Sequence, residues 1–287
     1  MSARVLGLAL LVVGCAGAAE TPPLSPFAAA ESALRGSDTD LVLPVPDDLR
    51  SGVAAASSLG ASLFILDVST AVAWDALGAR IGPPTRAGLA HYLAFIGTDD
   101  EGEPDGSVQV LFFTDEHVPR LAYRVRVLGG PSGNWEVIQQ DPPLLVHEPL
   151  MTLLNARLLA LEALPPTGQV VNPVLLPQRE GTIVIYLLAA SSQPNTAVLG
   201  RHYRVEVSSD GSEVERLMVR SGPELIVPTR DASGQRLSAL TVTDAATEHP
   251  TEAHVFASRM ANLPIYVTTG RGLWKVRASA IEYLGRP

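Results

Sequence analysis

The stretch 108-VQVLFFTDEHVPRLAYRVRV-127 decides the fold class. Val108–Phe113 and Leu121–Val127 alternate with the period of two that a half-buried strand shows. The polar, proline-containing segment between them reads as a connection. His91–Ile96 and Trp135–Gln139 repeat the pattern on either side, joined through the turn-rich segments Thr98–Ser107 and Gly129–Asn134. Four such strands in succession predict an antiparallel meander.

Working outward, the period changes to that of helices. Upstream, Leu49, Val53, Ala56, Gly60, Leu63 and Leu66 step by three and four and share one face, behind the capping aspartates Asp47-Asp48. A second helical stretch, Thr70–Ala79, stops before Gly82-Pro83-Pro84. Both are alanine-rich and weakly charged, which predicts packing against a sheet. Downstream, 148-EPLMTLLNARLLALEAL-164 is the clearest helix: Pro149 suits a first turn, Leu150, Leu153, Leu154, Leu158 and Leu161 form a wide apolar face, and Pro165-Pro166 ends it.

Beyond that helix the theme repeats. Strands are expected at Thr182–Ala189, His202–Ser208, Glu213–Val219, Leu237–Thr243, Ile265–Thr269, Leu273–Arg277 and Ala280–Leu284, with a short helix at Pro250–Met260. Tyr123–Val127 (YRVRV) and Tyr203–Val207 (YRVEV) are near-copies. They stem from a duplicated unit or, more simply, from two exposed strands of similar composition. The layout predicts an α+β fold with largely antiparallel sheets and a few packed helices. It occupies 45–287, with a division into lobes 45–165 and 166–287.

Composition narrows the function. Of 287 residues, 20 are arginine and only Lys275 is lysine, and the formal charge is −9. An acidic chain argues against nucleic-acid binding. Without a second lysine or a G-x-x-x-x-G-K-[ST] there is no P-loop, and no Ser-x-x-Lys pair occurs. A Gly-x-Ser-x-Gly elbow is missing too: Gly130-Pro131-Ser132-Gly133 is a turn. One cysteine excludes an internal disulfide and a multi-thiolate zinc site.

That cysteine, Cys15, closes an N-terminal stretch with a cationic start at Arg4 and an apolar run from Val5 to Val13. The run is shorter than the roughly 20 residues that span a bilayer and has the form of a secretory signal. Leu11-Val12-Val13-Gly14-Cys15 resembles the bacterial lipobox. The resemblance implies cleavage after residue 14, lipidation of Cys15, and a lipoprotein held in the cell envelope through its acyl chains. Ala16, where Asp would be the retention signal, fits sorting to an outer membrane, facing the periplasm. Residues 15–44, rich in Ala and Pro, read as a tether, with Leu41–Val45 packing onto the domain edge.

Three groups of residues carry chemistry worth testing. His249, Glu252 and His254 offer two imidazoles and a carboxylate, but the spacing of five between the histidines does not set them on one helical face as metal ligands. A helix cap and a buried histidine account for them as well. Arg124 and Arg126 alternate onto one strand face and would form an anion- or carboxylate-binding strip, unless balanced by Glu206, Glu213 and Glu215 as part of a solvent face that Arg120, Arg201, Arg204 and Arg220 share. The acidic run Asp99–Gly106 lacks the bidentate glutamate of a calcium loop and reads as a solvated hairpin. Trp74, Trp135 and Trp274 read as core anchors. The hairpin 202-HYRVEVSSDGSEVERLMV-219 resembles the strand–turn–strand of PepSY-type periplasmic domains, which implies an inhibitory or accessory role.

No cofactor is implied. The expectation is a lipid-anchored envelope protein that binds an envelope protein or a small ligand across its sheet. An envelope hydrolase using His202, His249, Glu252 or His254 is the alternative, and an inhibitor or accessory subunit of an envelope enzyme is the third reading.

Overall fold

The computed structural model describes residues 41–99, 103–129, 133–166, 170–176, 181–191, 193–222 and 225–286. Cys15, the signal and most of the tether lie outside the described residues. The described residues form three α-helices and fourteen strands in four mostly antiparallel sheets, an α+β fold.

Helix α1 (Arg50–Ile81) runs for 32 residues where two shorter helices were expected. The polar group Asp67, Ser69 and Thr70 does not break it, because Thr70 returns its hydroxyl to the Leu66 carbonyl at 2.7 Å. No proline interrupts the segment, and Leu63, Leu66, Ala73 and Leu77 continue one buried stripe. Length and apolar composition alone would let this helix cross a membrane. Here the stripe is packed in a protein core.

Sheet I is the expected meander: β1 (Leu89–Thr98), β2 (Pro104–Thr114), β3 (Arg120–Leu128) and β4 (Trp135–Leu145), in that order. β4 extends beyond its expected end at Gln139 and contains Pro142 and Pro143. An edge strand tolerates prolines because one side has no ladder to break, and a register shift opposite Leu121–Tyr123 accompanies them. Helix α2 (Leu150–Glu162) leads into sheet II, β5 (Val171–Leu176), β6 (Ile183–Ala189), β8 (Tyr203–Val207) and β9 (Val214–Val219). β7 (Thr196–Val198) pairs with β10 (Ile226–Pro228). Sheet III begins with a β–α–β unit. β11 (Leu240–Asp244) lies parallel to β12 (Ile265–Thr269) across helix α3 (Glu252–Ala261), and β13 (Gly272–Arg277) and β14 (Ala280–Gly285) follow antiparallel.

α1 covers one face of sheets I and II, with Val110, Phe112, Val125, Val184 and Leu188 beneath it. α2 covers part of the opposite face, over Leu111, Phe113, Ile185, Leu187 and Val205. Both clusters draw residues from either side of Pro165–Pro166. A third cluster joins Leu49 and Val53 of the α1 end to α3 and sheet III around Trp274. α1 and α3 touch at Gly60, where an added Cβ would stand 2.4 Å from Val255 Cβ and 2.6 Å from the Glu252 carbonyl.

The two near-copied pentapeptides occupy equivalent places. Each is the third strand of a four-stranded meander that follows a helix, and Val125/Val127 and Val205/Val207 bury on the face their own helix covers. That equivalence favours the duplicated unit over coincidental composition. Trp74 packs edge-on against Phe112 and Tyr92, and Trp274 is fully buried with its indole N–H on Thr269 Oγ1 at 3.0 Å. Trp135 corrects the expectation of a third core anchor: it is half exposed at the start of edge strand β4.

Candidate functional site

Two of the anticipated groups form recognisable arrangements, and they differ in accessibility. The first surrounds the N-terminus of α3. Thr251 is the N-cap, one residue after Pro250, and its N–H donates to His254 Nδ1 at 3.0 Å, the reciprocal half of a capping box. Nδ1 therefore carries no proton, and the neutral ring bears its hydrogen on Nε2. Nε2 faces Asp244 Oδ2 at 3.7 Å, too long for a hydrogen bond, and both atoms are buried without a closer partner among the described residues. Burial pushes the His254 pKa down to about 4 and raises that of Asp244, because it disfavours the charged form of each.

Asp244, His254 and the Thr251 hydroxyl, 3.1 Å from Nδ1, stand in the linear order of an acid–base–nucleophile set. The chemistry does not follow. Thr251 Oγ1 already donates to the Arg220 carbonyl at 2.8 Å, Nδ1 is occupied by a backbone N–H, and all three side chains are buried. No substrate carbonyl has access to that hydroxyl.

Glu252, the first residue of α3, is equally committed. Arg220 Nε and Nη2 donate to its two carboxylate oxygens at 2.6 and 3.1 Å, and the Tyr186 hydroxyl donates to Oε1 at 3.0 Å. Burial alone would raise its pKa, but the Arg220 bonds and charge outweigh that and hold the carboxyl low. His249 stands outside the helix. Its Nδ1 lies 2.8 Å from the Pro250 carbonyl, and its ring packs where a Cβ on Gly52 would fall. The histidines do not converge, and no group of three metal-ligating side chains occurs among the described residues. His202 is buried beside this cluster, edge-on to Phe256 of α3, accepting the Ala189 N–H at Nδ1 (3.0 Å), with its pKa pushed down to about 4 by burial.

Tyr186, Arg220, Asp244 and Thr251 complete this cluster, and spacing did not single them out together. They come from β6, the end of β9, β11 and the α3 cap, which only the tertiary fold unites.

The second arrangement is open. Arg124 and Arg126 share the face of sheet I opposite α1, as period two requires. Cross-strand rows place Leu111–Arg124–Ile138 beside Gln109–Arg126–Glu136. All of these except Leu111 line a concavity of about 510 Å3, together with Asp105. Arg126 donates to Asp105 Oδ2 at 2.6 Å and to Ser107 Oγ at 3.3 Å. Bonds from Ser107, with Arg126 added, hold the Asp105 pKa at about 2. Arg124 is exposed and has no ion pair among the described residues. In sheet II the corresponding Arg204 is tied to Glu206 at 2.8 Å, so the arginines expected to mirror the strip do not form a second one. The acidic run becomes the β1–β2 hairpin, closed by the Asp99 N–H on the Glu103 carbonyl at 2.9 Å, with Asp100–Gly102 outside the described residues.

No family model matches this chain, and neither the curated proteins nor the solved structures contain a match.

Proposed function

We propose that the protein is a lipid-anchored envelope module, acylated at Cys15 and sorted to an outer membrane, that binds a partner or ligand bearing a carboxylate or other anion on the open face of sheet I. One observation carries the reading: Arg124, with no ion pair among the described residues, presents its guanidinium inside a concavity, beside exposed Ile138 on β4. A planar fork of donors on a rigid strand suits bidentate recognition of a carboxylate. Neighbouring apolar side chains supply the desolvated surround that makes such contacts strong. The sealed cluster around Glu252 gives a hydrolase no comparable support, since it lacks a reachable nucleophile.

Cross-linking in intact cells tests the binding face. A residue-specific photo-cross-linker at position 138 should give a discrete adduct, lost on Arg124→Glu without a change in melting temperature. An adduct unaffected by that change, or none at all, overturns the assignment of the face. The anchor is tested separately: Cys15→Ser should abolish acyl labelling and release the protein from membranes.

A further inference from the structure

Asp67 is an ionisable group that neither arrangement uses. It lies midway along α1 in the apolar run Leu63-Phe64-Ile65-Leu66-Asp67-Val68, and only 7 % of it is exposed. A carboxyl placed so deep is costly unless paired, yet no arginine, lysine or histidine forms an ion pair with it among the described residues. Among the described residues its side-chain bond comes from Asn172 on β5, whose Nδ2 donates to Oδ1 at 3.0 Å. Burial raises the Asp67 pKa to about 6, and the Asn172 bond offsets this only in part.

The carboxyl faces a cavity of about 140 Å3 between α1, α3 and the ends of β5 and β6. Phe256, Met260, Ala190 and Val198 make its walls largely apolar, and the Ser191 and Thr196 hydroxyls, 2.9 Å apart, stand at one side. With one Nδ2 hydrogen of Asn172 donated to Asp67, the two side chains still offer the acceptors Asp67 Oδ2 and Asn172 Oδ1. A pocket whose buried carboxylate has no counter-charge among the described residues, with further polar oxygens and apolar walls, is complementary to a donor-only cation on a short hydrocarbon stem. Its volume is close to the ~150 Å3 of an engineered cavity that admits benzene.

We propose that this pocket is a binding site for a small organic ammonium group, held by the Asp67 carboxylate and the Asn172 side-chain oxygen with its alkyl stem against Phe256 and Met260. The site is separate from the sheet I face and does not depend on it. The ammonium supplies a counter-charge, and its hydrogens can be accepted by Asp67 Oδ2 and Asn172 Oδ1.

Calorimetric titration of the full chain with n-butylammonium chloride at pH 7.5 tests this. Sodium chloride, n-butanol and sodium butyrate serve as controls. Saturable binding of n-butylammonium is expected, at least tenfold tighter than n-butanol, with no response to butyrate. Asp67→Asn, which keeps an acceptor for Asn172, should weaken n-butylammonium at least tenfold and leave n-butanol unchanged. Asn172→Ala provides a second variant that removes an acceptor without touching the helix, and it too should weaken n-butylammonium. Equal binding of n-butanol and n-butylammonium would reduce the pocket to an apolar cavity and overturn the proposal. Absence of saturable binding, or binding that survives Asp67→Asn, would overturn it as well.

Discussion

Replacing Arg220 by methionine isolates the energetics of the cluster beneath α3. The substitution keeps the aliphatic stem but strips Glu252, whose side chain is 3 % exposed, of two charge-assisted hydrogen bonds and its counter-charge. Breaking a buried ion pair from one side costs about 3–5 kcal/mol. The Tyr186 hydroxyl remains as a single donor to Glu252, which favours the lower half of that range. For a domain of this size each kcal/mol moves Tm by about 2–4 °C, so a fall of roughly 6–16 °C is expected in scanning calorimetry.

The pH dependence has a definite sign. With Arg220 gone, burial raises the folded pKa of Glu252 above its unfolded value of about 4.3. The cost is therefore absent at low pH and grows as pH rises through that window. Urea unfolding at pH 5 and pH 8 should show a smaller loss at pH 5. Arg220→Met combined with Glu252→Met should recover much of the stability, since replacing both charges removes the uncompensated one. A single variant that loses less than about 1 kcal/mol, or a double variant as unstable as the sum of the singles, would refute this account.

Asp67→Asn should do the opposite, stabilising the protein at pH 7.5. The wild-type carboxyl has a folded pKa of about 6, so its ionisation costs stability as pH rises from about 4 to 6, up to about 3 kcal/mol for a shift of this size. Urea midpoints of wild type and variant should converge near pH 4. His202 and His254, both pushed down to about 4, contribute stability that is complete above about pH 6.5 and lost as pH falls toward 4. Two such groups outweigh the single carboxyl, so acid unfolding should begin in that window. His202→Asn, which keeps an acceptor for the Ala189 N–H, should flatten the acid limb of a pH–Tm curve. Gly60→Ala should cost about 1–3 kcal/mol, because the Cβ meets Val255 and backbone with no room to yield. Thermal denaturation would read the loss, and an unchanged Tm would show that the helices separate freely.

Sheet I was legible because its strands are half-buried and alternate cleanly. β5 (VNPVLL) and the short strands β7 and β10 escaped notice, since a mostly apolar six-residue run and three-residue pairings carry no period. The continuity of α1 was hidden by Asp67, Ser69 and Thr70, whose polar side chains imitate a break until Thr70 is seen bonding within the helix. Arg124 and Arg126 were found through period two alone. The Glu252 cluster was only half visible: Glu252 and His254 were picked out for their chemistry, while Tyr186 and Arg220, distant in sequence, reveal their part only when β6 and β9 are brought beside α3. Nothing local marked Asp67 as facing a cavity.

α1 also has a mechanical consequence. Its first turns lie against sheet III, where Leu43 bridges to Tyr283, and its later turns support sheet I. At 1.5 Å per residue its 32 residues make a rod roughly 48 Å long. The point where the polypeptide joins the domain and the surface around Arg124 are thus placed toward opposite ends of one stiff strut. That strut acts as a mast, holding the arginine-bearing face of sheet I away from the end at which the polypeptide enters the domain.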